Sequence, residues 1–123
     1  MTSRDSTGRE GEKRAGQFLK KQGFRILDER FRTKFGELDL VCRKDRLIVF
    51  VEVRSRADEN SPPPVESVTP KKISRVVKSA QVWLNEKRLQ GMPLRFDLIT
   101  VDMSVSPARI SHYPAAFEAG FDL

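Results

Sequence analysis

Two stretches of the chain carry apolar residues at helical spacing, and the first predicts a helix from about Gly8 to Gln22. Thr7 and Glu10 have the spacing of a capping box at its start, and Gly23 is a natural stop. Its apolar stripe consists of Ala15, Phe18 and Leu19. Glu12 lies on the flank of this stripe, about 60° from its centre, so its carboxylate can point along the core.

The second stretch predicts a helix that opens at Thr69-Pro70, a capping residue followed by proline at the first helical position, and ends at Gly91. Its apolar stripe consists of Ile73, Val76, Val77, Ala80, Trp83 and Leu84. A basic stripe on the opposite side consists of Lys71, Arg75 and Lys78. This basic stripe fits a nucleic-acid backbone and an ordinary solvated helix face equally well.

Five further stretches have the composition and alternation of strands. They span about residues 24–31, 37–43, 47–54, 94–103 and 109–112. The second and third flank Lys44-Asp45-Arg46 and therefore predict a hairpin. The segment from Ser55 to Val68, with prolines at 62–64, predicts a loop long enough to suggest a functional role. The order αβββαββ predicts an α/β fold in which helices pack on a mixed sheet.

Length and composition indicate one globular domain over residues 1–123. The chain is 38% apolar and 33% charged, which excludes a disordered protein, and its apolar runs are too short to span a membrane. We expect a cytoplasmic protein, because the N-terminus lacks a secretory signal pattern and the single cysteine, Cys42, cannot form an internal disulfide. One cysteine and one histidine, His112, exclude a structural zinc site. The net charge of +6 mildly favours nucleic acid as a partner.

The predicted hairpin brings two carboxylates together. If it turns through two residues, Asp45-Arg46, then Asp39 lies opposite Glu52 and Glu37 lies opposite Arg54. Directly opposed residues have Cβ atoms about 4.5–5.5 Å apart on one face of the sheet. A four-residue loop keeps the Asp39–Glu52 pair within reach, whereas an odd-length loop places the two on opposite faces.

The face of the hairpin that carries these acids is partly covered, since it also holds Val41, Ile48 and Phe50. The other face is wholly apolar and holds Leu38, Leu40, Cys42, Leu47, Val49, Val51 and Val53. Two like charges in a half-buried setting raise one pKa or require a cation, and carboxylate oxygens suit Mg²⁺ or Mn²⁺. Such an ion can polarise a phosphodiester and activate a water. Glu12 is a third acid able to converge on the site.

A charge ladder is the competing interpretation of the same residues. In it, Arg54 and Glu37 pair with Glu52 and Asp39 as ordinary cross-strand ions, which is the usual explanation for charges on a hairpin. Acids that interrupt apolar strands weaken this interpretation, because a purely structural sequence would place valine at those positions.

Three motifs resemble those of the YraN-like family of bacterial proteins, over nearly the whole chain. They are Gly8-x-x-Gly11-Glu12-x-x-Ala15, Gly36-Glu37-Leu38-Asp39-Leu40-Val41 and Val49-Phe50-Val51-Glu52-Val53-Arg54-x-Arg56. That family is similar to the PD-(D/E)XK restriction-endonuclease-like superfamily, and in outline to archaeal Holliday-junction resolvases. The resemblance implies a restriction-endonuclease-like α/β fold, with a mixed central sheet flanked by helices and Mg²⁺ held by carboxylates on a central hairpin.

By motif position, the resemblance implies that Asp39 and Glu52 are metal ligands and that Glu12 is the helix-one acid of resolvase-like members. Arg54 completes the implied catalytic set at the superfamily's lysine position. The chain departs from the pattern there, and also in having Leu38 where proline is common. Arginine stays protonated and cannot act as a general base, but it can stabilise charge in a transition state or orient water.

Together these observations predict a Mg²⁺- or Mn²⁺-dependent endonuclease, or a nucleic-acid-binding protein, that acts on structured or branched DNA. The predicted nucleic-acid-binding residues are Arg56, Lys71, Arg75 and Lys78. Two rivals are a non-catalytic nucleic-acid-binding module and a protein-interaction domain on the same scaffold. A membrane partner is not expected, and a homodimer is one of the assemblies that the sequence leaves open. Trp83 and His112 are predicted to be structural, and Gly36 to serve a turn or a close backbone approach.

Overall fold

The computed structural model describes residues 4–63 and 68–118, which form two helices and five strands. In chain order these are α1 (Arg4–Lys21), β1 (Arg25–Thr33), β2 (Gly36–Lys44), β3 (Leu47–Arg56), α2 (Pro70–Lys87), β4 (Leu94–Asp102) and β5 (Arg109–Phe117). The strands form one sheet in the order β1-β2-β3-β4-β5, in which β3 and β4 are parallel and the other neighbours are antiparallel. The predicted order αβββαββ is confirmed, and the mixed α/β architecture is consistent with a restriction-endonuclease-like fold.

The sheet is covered by one helix on each face. The cluster on the α2 side is built on Trp83, Phe50 and Phe96, which bury large side chains against one another. The cluster on the α1 side combines Ala15 and Leu19 with alternate residues of β2, β3 and β4. Because β2 and β3 are central strands with helices above and below, their buried residues run almost without interruption along the sequence. No helix among the described residues is long and apolar enough to cross a membrane.

The hairpin between β2 and β3 has the predicted two-residue turn. Lys44 pairs with Leu47, and the ladder continues to the pair Leu40–Val51. Asp45 occupies the left-handed region with φ of 54°, which a short polar side chain tolerates. The prediction that Leu38 packs beside Leu40 is wrong: Leu38 belongs to the α2-side cluster. It lies beyond the end of the β2–β3 ladder, where pairing with β3 no longer fixes its position.

The predicted start of α1 is also wrong. The helix begins at Arg4 rather than Gly8, so Thr7 lies within it and does not form a capping box with Glu10. Thr7 is buried, and its backbone carbonyl accepts a hydrogen bond from Ser55 Oγ at 3.2 Å. This contact with β3 holds the first turns of the helix, which local sequence signals do not indicate.

The second helix starts as predicted and ends earlier. Thr69 caps it, accepting a hydrogen bond from Lys72 N at 3.3 Å, and proline occupies the first turn. It ends at Lys87 rather than Gly91, because Arg88 adopts a left-handed conformation and its N–H bonds the carbonyls of the last turn.

The strands at both edges of the sheet are longer than predicted. β1 continues to Thr33, and β5 continues past His112 to Phe117. Tertiary contacts account for the extension of β5, since Phe117 pairs and stacks with Phe96 on β4. β3 likewise runs to Arg56, so the predicted loop from Ser55 starts two residues later, and residues 64–67 of it lie outside the described part of the chain.

Gly11 sets the distance between α1 and β3, and we expect Gly11→Ala to destabilise the protein. A Cβ atom at this position would lie 2.7 Å from Ser55 Oγ and 2.8 Å from Ser55 Cβ. Overpacking of this kind costs about 1–3 kcal/mol in the free energy of unfolding, to be measured by urea denaturation. The matched control is Gly16→Ala in the same helix, where nothing lies within 4 Å of the added Cβ and a gain of about 0.5–1 kcal/mol is expected. Equal effects of the two substitutions would contradict the close approach.

Candidate active site at the open end of the hairpin

A cleft of about 780 Å³ lies where β2 begins and β3 ends. Both helices contribute to its walls, as does the segment of residues 57–63 that follows β3. Its lining includes six of the eight predicted site residues, namely Glu12, Asp39, Glu52, Arg54, Arg56 and Arg75. Lys71 and Lys78 are exposed and do not line it; the lysine of α2 that does is Lys72.

Asp39 and Glu52 lie side by side in the cleft, as the predicted register requires. They form the position next to the last ladder pair, Leu40–Val51, and their side chains share a hydrogen bond. The strands separate here because Asp39 Oδ2, rather than a backbone carbonyl, accepts the hydrogen bond from Val53 N at 2.8 Å. The Glu52 side chain is only 8% exposed.

Burial and the neighbouring carboxyl make Asp39 hard to ionise. Burial is the largest cause that raises its pKa far above the ordinary value, and the hydrogen bond with Glu52 and the charge of Glu52 act in the same direction. The Val53 N–H and the Arg54 guanidinium oppose the shift without cancelling it. A carboxyl with so high a pKa keeps its proton near neutral pH, and a bound cation can replace that proton.

Arg54 provides part of the charge ladder that the competing interpretation expects. Its Nη2 donates to Glu52 Oε2 at 2.9 Å, along the same strand. Glu37 does not complete the ladder with Arg54 as that interpretation requires, because it pairs with Arg32 of β1 at 3.1 Å. The Arg54 Nε atom is buried and has no hydrogen-bond partner among the described residues.

Glu12 lines the cleft from α1 and is held by Arg30 of β1. Arg30 Nε donates to one carboxylate oxygen at 2.7 Å, and Nη2 lies 3.4 Å from the other. Burial is the main cause that raises the pKa of Glu12, with Asp39 and Glu37 adding to it and Arg30 opposing it. The sequence did not indicate the role of Arg30. Its strand contains several arginines, and no local pattern shows which of them pairs with a residue 18 positions earlier.

Arg56 fastens the segment after β3 to the end of β4. Its Nη2 donates to Asp102 Oδ2 at 3.0 Å, and its Nη1 donates to the Ser61 carbonyl at 3.0 Å. Its Nε is buried and, within residues 4–63 and 68–118, has no partner. The nucleic-acid contact predicted for Arg56 can use this Nε–H or the remaining N–H groups of Nη1 and Nη2.

Gly36 and Thr33 place α2 over the acids. Gly36 follows the turn from β1 to β2 and has a φ of 151°, which side chains rarely adopt, so it serves a turn as predicted. A Cβ atom there would lie 3.6 Å from Arg75 Cβ, an ordinary contact between strand and helix. The Thr33 hydroxyl bonds to Ser79 Oγ at 2.8 Å and also accepts from Gly36 N at 3.2 Å. These contacts set the rotation of α2 about its axis so that Lys72 and Arg75 face the cleft. The basic stripe seen in the sequence did not determine this rotation.

The described side chains of the cleft provide at most two ligands for one metal ion. Among residues 4–63 and 68–118, no group of three or more His, Cys, Asp or Glu could hold a metal ion. Two carboxylates suffice for Mg²⁺, which usually retains several waters and takes further oxygens from substrate phosphates. The Asp39–Glu52 pair fits this mode of binding and does not fit a closed protein cage.

The comparison with known proteins identifies the family. A model of the "Uncharacterised protein family UPF0102" matches residues 11–101. The chain belongs to this family. It is 44% identical over 115 residues to a UPF0102 protein of Anaeromyxobacter dehalogenans. The aligned region covers 94% of this chain and 86% of the relative. UPF0102 proteins of Syntrophotalea carbinolica and Myxococcus xanthus are 41% and 42% identical, covering 92% of this chain and 92% and 90% of theirs.

Outside the cleft, this UPF0102 chain has a second polar cluster, centred on the fully buried Asp97 of β4. Arg95 grips its carboxylate with two hydrogen bonds of 2.8 and 2.9 Å. His112 Nε2 lies 2.7 Å from Oδ2, and Ala115 N donates to Oδ1 at 3.0 Å. The cluster ties β5 to β4, which agrees with the structural role predicted for His112.

The buried Asp97 should make stability depend on pH in acid. Burial alone would raise its pKa, but the hydrogen bonds from Arg95, Ala115 N and His112 outweigh burial and hold the pKa below its ordinary value. The stabilisation is thus complete above about pH 4, where aspartate in the unfolded chain is ionised, and is lost as pH falls through the folded pKa. We expect the stability difference between wild type and Asp97→Asn, measured by urea denaturation, to shrink between about pH 7 and pH 3. A difference that stays constant over this range would contradict the assignment.

Proposed function

We propose that this protein is a metal-dependent endonuclease that acts on structured or branched DNA. The observation that carries the proposal is the side-by-side placement of Asp39 and Glu52 in a cleft that basic side chains also line. Paired half-buried acids are costly unless a cation neutralises them, and arginine and lysine beside them suit a phosphate-bearing substrate.

Asp39 and Glu52 would hold the Mg²⁺ or Mn²⁺ ion. When bound there, such an ion polarises a phosphodiester and lowers the pKa of a coordinated water. The site opens into the cleft rather than into the sheet, so a phosphate can reach the same ion. The same cleft therefore offers carboxylate ligands for the ion and room for the substrate phosphate.

The remaining cleft residues supply positioning and charge. Arg54, adjacent to the acids, stays protonated and stabilises negative charge that develops on the transferred phosphate. Glu12 is the better candidate for a proton acceptor, because its pKa is raised and Arg30 holds its Oε2 only at 3.4 Å. Lys72 and Arg75 extend the positive lining along α2.

Branched DNA is the substrate class that the resolvase-like resemblance favours, and the net charge of +6 supports a nucleic-acid partner. Recognition of junctions and flaps depends on backbone shape and charge, which the basic lining can provide. Linear duplex serves as the comparison in the cleavage assay.

A non-catalytic nucleic-acid-binding module is the second candidate, and one observation favours it. Arg54 is bonded to Glu52, so one of the two acids already has a cationic partner. In this alternative the cleft binds phosphates through Arg54, Lys72 and Arg75 without hydrolysis.

Variants of Arg54 separate these two functions. We expect Arg54→Ala to lower Mg²⁺-dependent cleavage by about 10²-fold, as the loss of one transition-state donor typically does. Arg54→Lys restores the usual superfamily residue and should preserve or increase the rate. The assay uses junction, flap and linear DNA with Mg²⁺ or Mn²⁺, and Asp39→Asn controls for a contaminating nuclease. If the wild type and Arg54→Lys bind DNA but cut none of these substrates, the non-catalytic module is the correct function.

A further inference from the structure

Two buried donors in the cleft lack acceptors among the described residues. Arg54 Nε and Arg56 Nε are the buried side-chain nitrogen or oxygen atoms without a hydrogen-bond partner in the part of the chain that the structure describes. Both residues line the cleft. Nearly all buried polar groups in folded proteins have a partner, so two such atoms in neighbouring positions require an explanation.

The other described residues do not supply the explanation. Arg54 uses Nη2 for Glu52, and Arg56 uses Nη1 for the Ser61 carbonyl and Nη2 for Asp102. Arg54 Nη2 and both outer nitrogens of Arg56 are thus engaged, whereas the Nε–H of each arginine has no acceptor among the described residues. An N–H on a cationic group bonds most strongly to an anionic oxygen, which identifies the missing acceptor as an anion.

The spacing of the two arginines along β3 fits a repeated anion. Arg54 and Arg56 are two positions apart on β3, where pairing with Thr100 and Asp102 of β4 shows that the backbone is extended. At about 3.3 Å per residue, their Cα atoms are separated by about 6.6 Å on one face. This separation matches that of successive phosphates in an extended nucleic-acid strand.

The cleft fits one strand better than two. Its volume of about 780 Å³ is too small to enclose a duplex but holds a short stretch of single strand. Its described lining contains no aromatic and no Asn or Gln side chain, so base stacking and amide readout of bases have no residues there. Recognition through the backbone, without base preference, is what such a lining allows.

We propose that Arg54 Nε–H and Arg56 Nε–H donate to two successive phosphates of a single unpaired strand. The proposal rests on the proposed function and specifies its substrate: the strand that enters the cleft is an unpaired segment with at least two phosphodiesters, as occurs at a junction or flap. Asp102 and Ser61 hold the Arg56 guanidinium in place before binding, which reduces the ordering cost when the strand binds.

The test is the affinity of short oligodeoxythymidylates that contain one, two or three phosphodiesters. They compete with a fluorescein-labelled 12-mer single strand for the full-length protein, followed by fluorescence anisotropy with Ca²⁺ in place of Mg²⁺. We expect affinity to rise at least about 10-fold from one phosphodiester to two, and less from two to three. A 12-base-pair duplex should bind at least about 10-fold more weakly than the single strand.

Two Arg56 variants and one control assign this rise in affinity to the Nε donor. Arg56→Gln and Arg56→Lys both remove the Nε–H, and lysine retains the charge beside Asp102, so the rise should vanish in both. Asp102→Asn loosens the anchor but retains the donor, so the rise should persist. A rise that survives in both Arg56 variants, a duplex that binds as tightly as the single strand, or absence of oligonucleotide binding would each overturn the proposal.

The same measurements distinguish this proposal from the proposed hydrolysis. If the rise occurs and depends on Arg56, yet Mg²⁺ supports no cleavage, the two-phosphate site stands and the nuclease function fails. If Mg²⁺-dependent cleavage occurs without the rise, the nuclease function stands and the two-phosphate site is wrong.

Discussion

Asp39→Asn is expected to abolish Mg²⁺-dependent cleavage of branched DNA, with a loss of at least about 100-fold, since even residues that only support metal ligands cost about 10–100-fold. Glu52→Gln should have the same effect, because both carboxylates bind the ion in the proposed site. The measurement is the initial rate of junction cleavage together with Mn²⁺ titration by calorimetry. Undiminished cleavage in either variant would locate the activity elsewhere.

The two variants should differ in stability in metal-free buffer. An asparagine in place of Asp39 can still accept from Val53 N and can donate to Glu52, so Asp39→Asn should leave the free energy of unfolding unchanged or increase it. Glu52→Gln removes the charged partner of Arg54, whose side chain is 27% exposed, and should lower it. Glu59→Gln, at an exposed position, is the control and should change stability by less than about 0.5 kcal/mol. Equal losses in both cleft variants would indicate a purely structural charge cluster.

Asp97→Ala is expected to cost about 3–5 kcal/mol in the free energy of unfolding, the usual result of breaking a buried ion pair from one side. The substitution leaves Arg95 and His112 without their carboxylate and leaves Ala115 N without its acceptor. Urea denaturation at about pH 7 measures the loss.

Asp45→Asn is the matched control for Asp97. Asp45 is exposed and has a positive φ that asparagine also adopts, so its substitution should change stability by less than about 0.5 kcal/mol. A cost for Asp97→Ala no larger than that of the control would show that the cluster does not hold β5 to β4.

The hairpin and its acids could be predicted from sequence because their determinants are local. Alternation of apolar residues and a two-residue turn fix the register, and the register places Asp39 beside Glu52. Few other arrangements bury both apolar faces of β2 and β3. The order of elements and the capped start of α2 also follow from local patterns, the latter from Thr69 and Pro70.

Features that depend on tertiary contact could not be predicted in this way. The early start of α1 depends on Ser55 bonding to the Thr7 carbonyl, and the pairing of Glu12 with Arg30 depends on how α1 lies against β1. The choice of Lys72 over its neighbours depends on how α2 is rotated against the sheet. Helical periodicity defines a face but not which part of that face a cleft reaches.

The unpartnered Nε atoms of Arg54 and Arg56 also lie beyond sequence reasoning. Both arginines are visible in the sequence as charges near the acids. Only the structure shows that Arg54 Nη2 and both outer nitrogens of Arg56 are bonded, while the Nε of each is buried without an acceptor among the described residues. A residue type can indicate charge, whereas a free donor is a property of the folded arrangement.

The most direct test of the metal-dependent site is a crystal structure of the protein soaked in Mn²⁺, with anomalous diffraction data. We expect one strong anomalous peak within about 2.0–2.3 Å of a carboxylate oxygen of both Asp39 and Glu52, with their shared hydrogen bond broken. No peak at this position, with Arg54 still bonded to Glu52, would contradict the account.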